Sequence, residues 1–144
     1  MTNYYFIRHA EKNRNVATPD PHLTSTGRER AKRWADFFSD KNIDQIFCTN
    51  FKRTSETAQP TAKQEGIEIQ TYQGIVNFVD KFRRKTENKN VLIVGHQDTT
   101  PHFVNSILDQ KKYKMIRASE HGKVFHLTLD KEGRLVKEQV LEVE

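Results

Sequence analysis

Arg8, His9, Arg53 and His96 are the residues of this chain whose types and placement suit one kind of chemistry. Arg8 and His9 close an apolar run, Tyr4-Tyr5-Phe6-Ile7, and His96 follows Val91-Leu92-Ile93-Val94-Gly95. Arg53 comes shortly after Ile46-Phe47-Cys48-Thr49. Two guanidinium groups can clamp a phosphate dianion through bidentate, charge-assisted hydrogen bonds. A neutral imidazole between them can attack phosphorus. The nearby positive charge lowers a histidine pKa and leaves its lone pair free at neutral pH. A second histidine can donate to the equatorial oxygens, where transition-state charge is spread. The start of a helix after His96 would add backbone N–H donors for the anion. The pattern does not suggest a metal or a cofactor. Neither histidine has a carboxylate at ligand spacing, and Cys48 has no partner thiol.

The elements that must carry these residues alternate along the chain. Residues 3–8 read as a short strand. Segment 24–41 reads as a helix with Ala31, Trp34, Ala35, Phe37 and Phe38 on one face and Thr24 or Thr26 as its cap. Residues 43–48 form a second strand, and 51–66 a helix broken at Pro60 and ended by Gly66. Strand 67–72 precedes a helix over 74–86, which places Ile75, Phe78, Val79 and Phe82 on one face. Residues 89–96 hold a continuous apolar run, as in a strand buried on both sides. A helix from about Thr100 to Leu108 follows. Segments 123–130 and 134–143 read as a hairpin turning at Lys131-Glu132-Gly133. This order implies an α/β fold, a three-layer α/β/α sandwich with a mostly parallel sheet and an antiparallel C-terminal hairpin at its edge. Ligands of such sheets bind beyond the carboxyl ends of the strands. Arg8-His9, Arg53 and His96 all fall there.

The bulk composition limits the alternatives. The chain has 144 residues, read as one domain over 1–144, with 35% hydrophobic and 30% charged residues. Its formal charge is +5, but the basic residues are interleaved with acids. The densest clusters, 81–85 and 110–114, read as solvated surface, so nucleic acid is not an expected partner. A basic surface also suits acidic, phosphorylated substrates. No apolar run approaches the roughly 20 residues of a membrane span, and the N-terminal residues lack the pattern of a signal peptide. Cys48 is the single cysteine, which rules out a disulfide framework and makes the cytoplasm the expected location.

Four ordered segments resemble the histidine phosphatase superfamily, also called phosphoglycerate mutase-like, in its short SixA-like branch. They are RHAEKNRN at 8–15, LTSTGRERA at 23–31, IFCTNFKRTSETA at 46–58 and VLIVGHQDTTP at 91–101. The resemblance runs from residue 3 to about 108. It implies that His9 accepts the phosphoryl group, that Arg8, Arg53 and His96 hold it, and that Asn15 assists. Water would then hydrolyse the phosphohistidine on His9 without metal or cofactor. The substrate would be a phosphohistidine or small phosphomonoester, borne by a small molecule or a phosphoprotein.

Several positions depart from the family pattern. Ala10 stands for a glycine, Cys48 for a serine, and Gln97 for a small residue after the second histidine. Cys48 reads as a buried small side chain. Segment 71–82 has no acid before Asp80, so the general acid comes from elsewhere or, for a phosphoramidate whose leaving nitrogen protonates readily, is not needed. Asp98, near the rim, is the first candidate and Glu11 the second. His102, after Pro101, is a candidate pocket wall, whereas His22, His121 and His126 have no visible partners. The short chain leaves little room for the lids a mutase needs to exclude water, which favours a hydrolase. Two other readings are a non-catalytic module that binds a phosphorylated ligand and, more remotely, a phosphoglycerate mutase-type phosphotransferase.

Overall fold

Side-chain alternation along the first strand decides which residue meets which helix layer. In β1 (Thr2–Arg8), Tyr4 and Phe6 point to one face and Tyr5 and Ile7 to the other, and all four are buried. The structure, a computed structural model, describes residues 1–74 and 78–144. After β1 come α1 (Ser25–Phe38), β2 (Gln45–Thr49), α2 (Lys52–Glu65), β3 (Ile69–Tyr72) and α3 (Val79–Lys85). The chain continues with β4 (Asn90–Gly95), α4 (Thr99–Leu108), β5 (Lys123–Leu129) and β6 (Leu135–Glu142).

The six strands form one sheet in the order β3-β2-β4-β1-β5-β6. β3, β2, β4 and β1 run parallel, and the β5–β6 hairpin adds antiparallel strands beside β1. β4 lies between β2 and β1, which explains its unbroken apolar run. Val91 and Ile93 join the core under α3 and α4, with Phe82 and Phe103. Leu92 and Val94 join the core under α1 and α2, with Trp34, Phe38, Ala58 and Ala62. The molecule is therefore the three-layer α/β sandwich with an edge hairpin that the sequence implies.

Some boundaries differ from expectation, each for a local reason. Of the two possible caps, Thr24 starts α1, and its side chain accepts from Gly27 N at 3.0 Å. α1 stops at Phe38 rather than near Lys41, because Ser39 turns back on the Asp36 carbonyl and Asn42 takes φ +53°. Pro60 does not break α2. It removes one backbone donor, but buried Thr57, Ala58, Thr61 and Ala62 on either side hold the helix against the sheet. Gly66 ends α2 in the left-handed region, φ +67°. The helix expected from residue 74 begins only at Val79. Gly74 has φ +66°, a left-handed conformation incompatible with a helical turn, and Ile75 lies outside the described residues.

One close approach ties α1 to the segment that follows β1. A Cβ on Gly27 would lie 2.2 Å from the carbonyl oxygen of Glu11. Gly→Ala in a helix interior ordinarily stabilises by about 1 kcal/mol. Here the overlap with backbone reverses the sign, and Gly27→Ala is expected to destabilise by about 1–3 kcal/mol, measured as a lower urea midpoint at unchanged slope.

Candidate active site

Strand register brings the two histidine segments together. Arg8 pairs with Gly95 across β1 and β4, and His9 N donates to Gly95 O at 2.9 Å. β2 flanks β4 on the other side, so Thr49 ends beside the same rim. The His9 and His96 rings come to 5.4 Å between centroids. Ala10 is fully buried, and its N–H donates to Thr57 Oγ1 at 2.8 Å. Only a small residue fits where α2 crosses this point.

The hydrogen bond of His9 sets its tautomer. Nδ1 lies 2.7 Å from Ala10 O, an acceptor, so Nδ1 carries the proton and Nε2 keeps its lone pair. Burial is the main cause that lowers the His9 pKa to about 3; the positive neighbours Arg8 and Arg53 and the His96 ring lower it further, against the Ala10 bond. His96 Nε2 lies 2.8 Å from Thr49 Oγ1. The Thr54 hydroxyl donates to Thr49 O at 2.7 Å and receives the Thr49 hydroxyl at 3.1 Å. Turned towards Thr54, the Thr49 hydroxyl accepts from His96 Nε2–H; turned towards His96, it donates and moves the ring proton to Nδ1. Burial, then Arg53, lowers the His96 pKa to about 4. Both rings are neutral at pH 7.

The arginines differ in how they are held. Arg8 is 2% exposed, and its Nη1 donates to the carbonyls of Arg117, Ala118 and Glu120 at 3.2, 3.0 and 2.8 Å. Its Nη2 donates to Gln97 Oε1 at 3.2 Å, while Nε is buried without a partner. Arg53, in the first turn of α2, has two buried donors without partners, Nε and Nη1. Its guanidinium stacks on the Phe51 ring, 4.4 Å from the centroid. Unpartnered buried N–H groups are costly, and an anion that fills the space between the two arginines would satisfy them. Burial lowers the pKa of both groups from the usual arginine value.

These groups line an open cavity of about 380 Å³, together with Lys12, Arg14, Phe51 and Gln97. A second cavity, about 300 Å³ near Met1 and Gly133, contains none of the candidate residues.

A family model described as histidine phosphatase superfamily (branch 1) matches residues 4–77. The chain belongs to the histidine phosphatase superfamily. A probable phosphatase of Schizosaccharomyces pombe is 38% identical over 61 residues, a match that spans 39% of this chain and 29% of that protein. The protein histidine phosphatase SixA, solved with tungstate, has a TM-score of 0.76 at 14% identity, over 97% of this chain and 96% of that one. A phosphoserine phosphatase from Entamoeba histolytica, solved with 3-phosphoglyceric acid, has a TM-score of 0.74 at 17% identity, over 100% and 98%. A mycobacterial glucosyl-3-phosphoglycerate phosphatase with inorganic phosphate has 0.76 at 12%, over 99% and 98%. At these identities the solved structures share the fold.

Within this histidine phosphatase fold the other expected residues are placed unequally. Asp98 lines the cavity, and its carboxylate caps α4 by accepting from Thr99 N at 2.8 Å. The N-terminus of α4 is thus already capped by the Asp98 side chain. Glu11 makes a two-point pair with Arg30, at 2.9 and 3.1 Å, away from the cavity lining. Burial raises its pKa, but the Arg30 bonds outweigh this and hold it below the usual value. An acid kept ionised in this way is unsuited to proton donation. Asn15 is exposed and outside the lining: its N–H bonds Asn13 Oδ1 at 3.0 Å, and the resulting turn leaves Arg14 facing the cavity instead. His102 is exposed and does not line the cavity. Cys48 is fully buried, and burial pushes its thiol up to about 11. Among the described residues no group of three or more His, Cys, Asp or Glu could hold a metal ion.

Lys12, Arg14, Phe51 and the 117–120 carbonyls are functional candidates that the sequence reading missed. Only Lys12 and Arg14 left a signal, as charges inside the opening motif.

The buried histidines also couple stability to pH. His126 stacks on Tyr5 at 4.3 Å, and burial lowers its pKa to about 4. In the unfolded chain His9, His96 and His126 titrate near about 6.5. Below that pH the unfolded chain binds protons that the native one refuses, so stability is fullest above it and falls as pH drops towards 4. Each histidine contributes a slope of up to about 1.4 kcal/mol per pH unit. Urea midpoints are expected to be clearly lower at pH 5 than at pH 7.5.

Proposed function

We propose that this chain is a phosphatase that hydrolyses a phosphohistidine or a small phosphomonoester through a phosphohistidine formed on His9, without a metal ion. The observation that carries this reading is the His9 tautomer, with the Nε2 lone pair free in a cavity lined by partnerless arginine donors. A fixed lone pair among donors that await an anion is the arrangement that attack on phosphorus requires. The phosphatase names of the relatives with the same fold support hydrolysis over a mutase reaction.

In this mechanism Arg8 and Arg53 hold the phosphoryl oxygens, and His96, with the Thr49 hydroxyl turned to donate to its Nε2, donates to them from Nδ1–H. His9 Nε2 attacks phosphorus, the bond to the leaving oxygen (in a phosphohistidine, to the leaving ring nitrogen) breaks, and Asp98 gives that atom its proton. Asp98 then takes a proton from water as the water oxygen attacks the phosphohistidine. The P–N bond breaks, Nε2 regains its lone pair, and inorganic phosphate leaves. The Ala10 carbonyl, bound to Nδ1–H, stabilises the positive charge the ring bears in the intermediate. The lone buried Cys48 suits a reducing compartment such as the cytoplasm.

Wild-type protein in excess chelator is expected to release phosphate from p-nitrophenyl phosphate or from a phosphohistidine peptide, and His9→Ala to release none. An alkaline quench should trap a phosphorylated protein whose label maps to His9. Phosphate binding by wild type without release from either compound would instead favour the ligand-binding module.

Asp98→Asn separates the proton-donor role from a capping role. It should slow hydrolysis of an alkyl phosphate by about 10²–10⁴-fold and that of p-nitrophenyl phosphate far less, because nitrophenolate leaves without a proton. Equal slowing of both would remove Asp98 as the acid.

A further inference from the structure

Lys12 and Arg14 line the cavity but have no part in the reaction above. Neither has a hydrogen-bonded or ion-paired side-chain partner among the described residues. Their segment is nevertheless ordered by its backbone. Lys12 forms a bridge with Leu23, Asn13 N donates to His22 O at 2.8 Å, and Asn15 N bonds Asn13 Oδ1 at 3.0 Å. These contacts hold the two cations on one wall of the cavity.

The charge balance requires more than a phosphate. Arg8, Lys12, Arg14 and Arg53 share the cavity with one acidic group among the described residues, Asp98, which carries a proton in the reaction above, and both histidines are neutral at pH 7. The surplus is at least three positive charges, and a phosphomonoester dianion removes two. The cations also differ in depth. Arg8 is 2% exposed and His9 4%, whereas Lys12 is half-buried and Arg14 exposed. The phosphoryl group belongs at the deep pair, and the remaining charge stands nearer the mouth. Burial first, then repulsion from Arg53, Arg14 and Arg8, lowers the Lys12 pKa, so Lys12 gains from any anion placed beside it. A volume of about 380 Å³ fits a small ligand.

We infer that Lys12 and Arg14 form a second-anion subsite, and that the substrate is a small phosphate ester carrying a further carboxylate or phosphate beside the transferred phosphoryl group. The inference rests on the phosphatase reading, since it assigns the substrate class of the same cavity.

Three probes of equal backbone length test it: 2-hydroxyethyl phosphate, 2-phosphoglycolate and ethane-1,2-diol bisphosphate. The second group is neutral in the first, a carboxylate in the second and a phosphate in the third. In wild type, kcat/KM for at least one charged probe should exceed that for the neutral probe by about tenfold, mainly through KM. The doubly substituted K12Q/R14Q protein should level the three values, and K12R/R14K should restore the preference. The ratio between probes is the readout, so a general loss of activity or folding cancels. Which charged probe is preferred distinguishes the carboxylate from the phosphate. Equal kcat/KM for all three in wild type, or an undiminished preference in K12Q/R14Q, overturns the subsite. If wild type turns over none of them, p-nitrophenyl phosphate and the phosphohistidine peptide separately decide the phosphatase reading, and calorimetric binding of the same three probes decides the subsite. Tighter binding of a charged probe that K12Q/R14Q loses sustains it, and equal binding of all three overturns it.

Discussion

The register between β1 and β4 is the constraint on which the rest of the site depends. Arg8 stands opposite Gly95 in a parallel pair, so the residues that follow, His9 and His96, leave the sheet side by side. A slip of one residue would send Arg8 to the other face of β1 and carry Tyr4, Phe6, Tyr5 and Ile7 to the wrong helix layers. The same apolar alternation that fills two cores therefore also sets the distance between the histidines. Side-chain packing and catalytic geometry cannot be altered independently along this strand.

Positive charge without counter-ions is the cost of such a site. Buried Arg8 and half-buried Arg53 are supported in different ways, and neither support is a carboxylate. Backbone carbonyls of the 117–120 loop solvate Arg8 as water would, and the face of Phe51 carries Arg53. A carboxylate in either place would hold its arginine more firmly and also cancel the field an incoming phosphate needs. Asp98 is the exception that lines the cavity, and its charge is partly engaged by the first backbone donor of α4.

The fold was legible because β4 and the alternating faces of β1 leave a pattern that only a doubly covered parallel strand explains. The convergence of the four motif residues on one cavity was legible for a related reason: Arg8, His9 and His96 stand at strand ends, Arg53 opens the helix after β2, and strand ends of a parallel sheet share one rim. Helix ends were less legible. Pro60 reads as a break, yet packing of its neighbours outweighs one missing hydrogen bond, and Gly74 lies outside α3 with a backbone angle no composition reveals. In the site, Asn15 and Arg14 exchange places because a turn at Asn13 decides which side chain faces inward. Glu11 looked like an available acid until Arg30, nineteen positions later, took both its oxygens. The carbonyl support of Arg8 was invisible, since any residue can supply a carbonyl.

That carbonyl support makes the order of synthesis matter. His9 precedes in sequence every segment that builds its surroundings: β1 pairs with residues 90–95 and 124–129, and the neighbouring Arg8 is held by carbonyls of residues 117–120. The earliest chemistry to be translated is thus the last to be assembled. Until β4 is made, β1 is an apolar segment without a partner on either edge, and until the hairpin follows its second edge stays open, which is the condition under which a nascent chain most needs protection from its neighbours. A phosphate bound to a partly made chain would find the arginine without its support, so the competent cavity comes into being only together with the finished sheet.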